Sequence, residues 1–243
     1  MRRRSHQIED ALSFGGRVPA AVGLLMSITV LASVASVLGL RLGFPLASWL
    51  ILEPQLVLKG QVWRLLTWIL VELQPINLIF AVMVLFWVGR DLTFAWGAQR
   101  FLLTYFGLAA ASGLGACLIG LAFPAARAEF WSGPWPLIDA MVVAWALLNP
   151  DRQIMLWFVL PVSGRTLLYI TIGGTLAFTI YVGLAALVPH LLAEGLMLAY
   201  ANEVFGRRLL QRYRLWSFER RARSRRLKVV GKRNGGGPTN WLN

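Results

Sequence analysis

The chain has 243 residues, of which 57% are hydrophobic and only 14% are charged, and its mean hydropathy is +0.61. This composition excludes an ordinary soluble domain and indicates several transmembrane helices. Cys117 is the single cysteine, so an intramolecular disulfide and a cysteine-based metal site are both excluded.

The basic residues are concentrated at the two ends of the chain. Of the 24 Lys and Arg residues, 12 lie in 207–233 and four lie in the first 17 residues. Such ends are typical of cytoplasmic termini under the positive-inside rule, and we expect no nucleic acid to bind them. The short basic N-terminus, 1–17, read as uncleaved, favours a bacterial inner (plasma) membrane with both termini in the cytoplasm.

Hydropathy predicts six spans within a membrane domain that covers 18–206. In chain order they cover 18–40, 75–89, 101–123, 134–149, a stretch that begins near Arg165 within the apolar tract 154–188, and 190–206. The segment between the first two spans, 41–74, is interrupted by prolines and charges, and we interpret it as a structured interfacial loop. The predicted fold class is therefore all-α: a polytopic six-helix bundle embedded in membrane lipid.

The remaining segment, 207–243, is predicted to be a basic cytoplasmic tail. In 207–228 basic residues alternate with Leu, Tyr, Trp and Phe, a pattern typical of a helix that lies on anionic lipid. The chain then becomes Gly-rich, which predicts disorder, and ends in 237-GPTNWLN-243. Docking of a cytoplasmic partner through Trp241 is the second interpretation of the tail, and both stay open.

One predicted span carries a carboxylate. The stretch 131-WSGPWPLIDAMVVAWALLNP-150 reads as a membrane helix, yet Asp139 lies near its start. An ionisable residue inside a span is costly and usually functional. If the fourth and sixth spans pack together, Asp139 reaches His190, and Glu194 lies one turn after that histidine. The sequence thus predicts a polar cluster of Asn77, Asp139, His190 and Glu194.

Two simpler interpretations of these residues stay open. His190 can border the last helix at the level of the lipid headgroups, and Asp139 can face a shallow cavity filled with water. A single histidine with two carboxylates is a weak signal for a metal site, so we expect no metal and no cofactor.

Five short motifs follow one another along the spans. They are 60-GQVWRLLTW-68, 89-GRDLTFAWGAQRFLLTYF-106, 147-LLNPDRQI-154, 159-VLPVSGRTLLYI-170 and 190-HLLAEG-195. In order, spacing and hydropathy they resemble the rhomboid superfamily of intramembrane serine proteases, over about residues 15–210. The resemblance implies a six-helix bundle in which a serine of a GxSG motif and a histidine form a catalytic dyad, with an HxxxN motif at the oxyanion hole.

The catalytic positions implied by this resemblance are mostly altered. His190 falls where the family places its base. Counting back from Asn149-Pro150, the serine position falls on Trp135, whose indole cannot be acylated. Counting back from Gly89-Arg90, the HxxxN motif falls on Asn77 and Ala81, and an alanine side chain offers no donor to an oxyanion.

The resemblance therefore implies an inactive member of the superfamily, a pseudoprotease that binds transmembrane segments of client membrane proteins. Trp63 and Arg64 match a first-loop motif that inactive relatives also keep. A shift of three residues gives the alternative, an active intramembrane serine endopeptidase with a Ser132–His190 dyad. The prolines at 134 and 136 argue against this alternative, because they place Ser132 before the helix, near its N-cap. A second alternative is a small-solute or proton-handling protein that uses Asp139, His190 and Glu194.

Overall fold

The computed structural model describes residues 18–156 and 160–201. The predictions for the basic N-terminus 1–17 and for the tail 207–243, with its GPTNWLN segment, lie outside this part of the chain. The described helices form a compact unit that ends at Ala199, and the residues from Tyr200 onward belong to a second unit.

The chain begins with one long helix and a loop of short helical turns. Helix α1 spans Ala20–Arg41, close to the predicted first span. The loop that follows holds α2 (Leu46–Leu50), α3 (Pro54–Leu58), α4 (Arg64–Thr67) and a 3₁₀ turn (Trp68–Leu70). The segment predicted to be a structured loop therefore has regular structure over much of its length.

The second span is longer than predicted. Helix α5 (Pro75–Val84), a π-helical turn (Leu85–Gly89) and α6 (Arg90–Trp96) form one continuous span of 22 residues. The prediction ended this span at residue 89, because the first charges follow there. The helix instead continues to Gly97, whose φ of 85° ends it, and α7 (Ala98–Ala122) begins at once.

Five further elements precede the last helix of the described chain. They are α8 (Pro124–Arg127), α9 (Trp135–Leu148), an antiparallel hairpin of β1 (Gln153–Leu156) and β2 (Leu160–Ser163), and α10 (Gly164–Val182). Gly183, with a φ of 96°, separates α10 from α11 (Leu184–Ala201). The last span therefore begins six residues before the predicted residue 190, and His190 lies in its second turn rather than at its start.

The predicted all-α, polytopic membrane fold is confirmed. Five helices in the described residues are long and apolar enough to cross a membrane: α1, the continuous helix Pro75–Trp96, α7, α10 and α11. The fourth predicted span, α9, has only 14 residues, or about 21 Å of helix against a hydrocarbon layer of about 30 Å. Helix α9 is therefore too short to cross the hydrocarbon layer as a lipid-facing helix. It lies inside the bundle, where most of its side chains are buried.

Small residues allow the first loop to approach the bundle core. A Cβ added at Gly113 of α7 would lie 3.3 Å from Nε1 of Trp68, and Trp68 is fully buried. The loop is also joined to the segment before α9, since Leu52 and Trp131 exchange backbone hydrogen bonds of 2.8 and 2.9 Å. These contacts hold the start of α9 in place.

Candidate functional site

The start of α9 is shaped by Gly133 and by the two prolines that flank Trp135. Gly133 has a φ of 96°, a conformation that favours glycine, and its N–H donates to the Trp68 carbonyl over 2.9 Å. Pro134 is the N-cap, and Pro136 lies in the first turn of α9, where a missing N–H is not costly. Trp135 therefore begins the helix, and Asp139 follows one turn later on the same face.

Asp139 and His190 are in direct contact. Oδ2 of Asp139 lies 2.8 Å from Nδ1 of His190, which joins α9 to α11, and both side chains are about one-fifth exposed, at 23% and 21%. A carboxylate only accepts hydrogen bonds, so with an ionised Asp139 the proton sits on Nδ1. The contact then orients the ring of His190.

Glu194 and Asn77, the other two members of the predicted cluster, have different partners. Glu194 is buried, with 3% of its surface exposed, and its Oε1 accepts a 2.7 Å hydrogen bond from Oγ1 of Thr175 on α10. Asn77 donates from Nδ2 to Oε1 of Gln74 over 3.0 Å. Within the described chain, neither side chain hydrogen bonds to the Asp139–His190 pair.

Glu72 is a site residue that the sequence prediction missed. It is 8% exposed, its N–H donates to Oγ of Ser33 over 2.9 Å, and its Oε1 accepts from the Gln74 N–H over 3.1 Å. A Cβ added at Gly133 would lie 2.7 Å from Oε2 of Glu72, so this carboxylate lies directly against the start of α9. The sequence does show an acidic residue three positions before Pro75, where the second span begins. It did not stand out, because the loop holds other polar residues as well.

The environment of Glu72 shifts the pKa of its carboxyl group upward on balance. Burial raises the pKa of Glu72, and the backbone N–H groups of Gln74 and Leu73 and the indole of Trp135 act in the opposite direction. The Trp135 indole nitrogen is buried but outside hydrogen-bond geometry. We therefore assign its influence on Glu72 to the proximity of the N–H dipole and not to a hydrogen bond.

These residues surround a cavity of about 700 Å³, the polar cavity. Its lining comes from α5 and the segment before it, from the start of α9 and the residues before it, and from α10 and α11. It consists of Glu72, Gln74, Asn77, Ser132, Trp135, Asp139, Thr171, Gly174, Thr175, Phe178, Leu187 and His190. Most of these side chains are polar, although α5, α10 and α11 belong to helices that are long and apolar enough to span a membrane. Such a lining is expected of a site for a ligand with hydrogen-bonding groups, because polar groups in a membrane face a cavity or a partner.

The structure places the residues of the implied protease site in different surroundings: some line the polar cavity and one is buried in the core. Trp135 lies at the cavity in the position implied for the serine, and Ala81 is fully buried in the core. Ser132 lines the same cavity, but among the described residues it makes no hydrogen bond to His190, whose Nδ1 is held by Asp139. No three His, Cys, Asp or Glu side chains within 18–156 and 160–201 are grouped so that they could hold a metal ion.

Trp63 and Arg64, the first-loop motif, make hydrogen bonds within the loop and do not line the polar cavity. Arg64 is 3% exposed, and it donates from Nη1 to the Ile51 carbonyl over 2.6 Å and from Nε to Oε1 of Gln61 over 2.7 Å. Burial lowers the pKa of Arg64, and the charge of Glu53 opposes this shift. Trp63 is 43% exposed and donates from Nε1 to the Trp49 carbonyl over 3.1 Å.

Comparison with known proteins corrects one prediction. The family described as eukaryotic integral membrane protein (DUF1751) matches residues 20–202, which is most of the chain. The prediction of a bacterial inner membrane is wrong, because this family is a eukaryotic one. Among curated proteins, none matches the chain significantly in sequence. The match across nearly all of the spans shows that the chain belongs to the eukaryotic integral membrane protein family DUF1751.

Proposed function

We propose that this protein is a rhomboid-like pseudoprotease, which holds transmembrane segments of client membrane proteins in the polar cavity. The observation that carries the proposal is the 2.8 Å contact between Asp139 and His190 beside Trp135. The histidine is engaged by a carboxylate, and an indole stands where the resemblance implies a nucleophile. A polar cavity remains at this place, and among the described residues no serine in its lining is hydrogen-bonded to His190, as a nucleophile and its base would be.

The packing of α10 supports lateral entry from the membrane. Only 11% of the residues in its most apolar 18-residue stretch are buried inside the protein, compared with 39% for α11. Helix α10 packs mainly on α9, whereas α5 and α10 do not pack closely on each other. The polar cavity lies between these two helices, so a segment that moves within the membrane has a route to Asp139 and His190.

The polar lining also supplies a reason for a client to stay. Between helices in lipid there is little hydrophobic driving force, so association depends on close packing and on hydrogen bonds between helices. The hydroxyl groups of Thr171 and Ser132 and the amide of Asn77 line the cavity. These groups suit a client segment that carries polar side chains or an unwound stretch of backbone.

Site-specific photocrosslinking in native membranes tests this proposal. A benzoylphenylalanine in place of Phe178, which lines the cavity, should crosslink membrane proteins that the same group at Ile180 does not reach. Ile180 is 89% exposed and serves as the lipid-facing control. Identical crosslinks from the two positions would contradict the proposal.

Two adjacent glycines provide a matched pair for the same experiment. A Cβ added at Gly174 or at Gly173 meets no atom within 4 Å, but only Gly174 lines the polar cavity. Gly174→Trp should fill the cavity and remove the crosslinks from position 178, whereas Gly173→Trp should leave them. Crosslinks that survive Gly174→Trp would place client binding elsewhere.

A second function is favoured by one specific observation. Ser132 and the Asp139–His190 pair line the same cavity, and a carboxylate that orients a histidine is also part of a serine hydrolase triad. If Ser132 is a nucleophile, a fluorophosphonate probe should label the protein, and Ser132→Ala and His190→Ala should both abolish the label. We expect no labelling of the folded protein, because Ser132 makes no hydrogen bond to His190 among the described residues.

A further inference from the structure

A second pocket lies near the other end of α9, about 9 Å of helix away from Asp139, as the six residues from 139 to 145 imply. It has a volume of about 310 Å³, and its lining includes Phe86, Trp87, Arg90, Asp91, Trp145, Arg152 and Leu167. We refer to it as the interfacial pocket. Neither the proposed function nor the family description assigns a role to it.

The π-helical turn positions the aromatic wall of this pocket. Phe86 and Trp87 belong to the turn at Leu85–Gly89, and Arg90 and Asp91 follow in the first turn of α6. A π-helical turn inserts an additional residue into a helix and is frequent at functional sites. Here it brings two aromatic side chains and two charged side chains of one span against the same pocket.

The charges at the rim do not cancel. Oδ2 of Asp91 accepts from Nη1 of Arg152 over 2.7 Å and from the Trp145 indole over 3.1 Å. Nε of Arg90 lies 3.9 Å from Oδ1 of Asp91, which is beyond hydrogen-bond length. Two guanidinium groups and one carboxylate therefore line the interfacial pocket, which leaves one positive charge in excess.

The position of Arg152 leaves most of its donors available. Its side chain is 55% exposed, and its guanidinium lies 5.7 Å from the centre of the Trp145 ring. A guanidinium has five N–H donors, and the bond to Asp91 occupies one of them. The charged rim lies close to the end of the span Pro75–Trp96, whereas the aromatic wall extends back along the apolar part of that helix.

We propose that the interfacial pocket binds an anionic phospholipid. Its phosphodiester contacts Arg90 and Arg152, and one acyl chain lies along Phe86, Trp87 and Leu167. The excess positive charge selects an anionic headgroup over a zwitterionic one, because basic residues at a membrane surface attract acidic lipids. The apolar wall selects a lipid over a soluble anion, because it matches an acyl chain and offers nothing to a headgroup alone.

A photoactivatable phosphatidylserine with a diazirine in its acyl chain tests this proposal on the full chain in detergent. Mass spectrometry of the crosslinked peptides should locate the probe on residues 86–91 or 145–167. Unlabelled phosphatidylserine should compete at a concentration about fivefold lower than phosphatidylcholine. Glycerophosphoserine, which has the headgroup but no acyl chains, should compete poorly.

Two arginines provide a matched pair of variants. Arg90→Gln should reduce crosslinking at the pocket by about fivefold. Arg165→Gln removes the same charge at a side chain that pairs with Asp151 over 3.2 Å and is 66% exposed, and Arg165 does not line the pocket. Crosslinking in this variant should match the wild-type protein.

Several outcomes would overturn the proposal. Crosslinks confined to residues 207–243 would assign lipid binding to the basic tail. Equal competition by phosphatidylserine and phosphatidylcholine would show that the charge selects nothing, and this comparison needs no variant. An equal loss of crosslinking in Arg90→Gln and Arg165→Gln would mean that lipid binding depends only on the general surface charge. Strong competition by glycerophosphoserine would indicate a site for soluble anions.

Discussion

Nδ1 of His190 on α11 lies 2.8 Å from Oδ2 of Asp139 on α9, although the two residues are 51 positions apart in sequence. The contact places the ionisable groups of two apolar helices against each other at the wall of a polar cavity. In a membrane, each of these groups would be costly without the other. The pair therefore contributes both to the packing of the two helices and to the polarity of the site.

Removal of the Asp139 carboxylate should destabilise the protein. Asp139→Leu leaves Nδ1 of His190 without its partner, and we expect the free energy of unfolding to fall by about 1–2 kcal/mol. Asp139→Asn should cost less, because its amide oxygen still accepts from Nδ1. Thermal unfolding of the detergent-purified variants measures the difference. In a His190→Leu background, Asp139→Leu should have a smaller effect, and equal effects in both backgrounds would show that the contact contributes nothing.

Glu72 should make stability depend on pH. Burial raises the pKa of Glu72 above its ordinary value of 4.5, so the folded state holds this proton more tightly than the unfolded state. The contribution to stability is fully present below 4.5 and is lost as the pH rises through the folded pKa. Glu72→Gln should remove this loss and be more stable than the wild-type protein at neutral pH.

Unfolding curves of the wild-type protein and Glu72→Gln, measured from below pH 4.5 up to neutral pH, test the prediction. Glu129→Gln, which removes a carboxylate from the loop before α9 without changing the contact with Gly133, is the control for net charge. A pH dependence that is the same for the wild-type protein and Glu72→Gln would contradict the assignment.

Arg64 should be important for the stability of the first loop. Arg64→Ala leaves the Ile51 carbonyl and the Gln61 amide without their donor, and we expect a loss of about 2–3 kcal/mol. Arg64→Lys should recover only part of it, because an ammonium group lacks the fork of donors that contacts both partners. Lys59→Ala, at an exposed residue of the same loop, should leave thermal stability unchanged. A loss of similar size in that control would contradict a specific role for Arg64.

Two glycines of α10 should respond oppositely to the same substitution. A Cβ at Gly164 would collide with the backbone carbonyl oxygen of Asn149 at the end of α9, so Gly164→Ala should destabilise by about 1–3 kcal/mol. A Cβ at Gly173 meets no atom within 4 Å, so Gly173→Ala should stabilise by up to about 1 kcal/mol through helix propensity. Thermal unfolding of the two variants tests both expectations. An unchanged stability of Gly164→Ala would mean that α9 and α10 can move apart at little cost in free energy.

The sequence by itself determined the class of the protein and most of its spans. Backbone polar groups inside a membrane must be satisfied within a helix, so an apolar stretch of sufficient length predicts a helix without reference to its neighbours. For the same reason Asp139 stood out, since a carboxylate in such a stretch is visible in the sequence alone. The charges at residues 90 and 91 led to a wrong end for the second span, because the helix continues through them as α6.

The sequence suggested the contact of Asp139 with His190 only on the condition that their helices pack, and the tertiary structure decided which members of the predicted cluster are bonded to each other. Glu194 is one turn from His190 on the same helix, yet the imidazole contacts Asp139 and Glu194 bonds to Thr175. Glu72 lies against Gly133, although the two are 61 residues apart in sequence. Helix α9 is shorter than a membrane span and is buried within the bundle. These pairings depend on how each helix is rotated about its axis and how deeply it is packed, and hydropathy encodes neither.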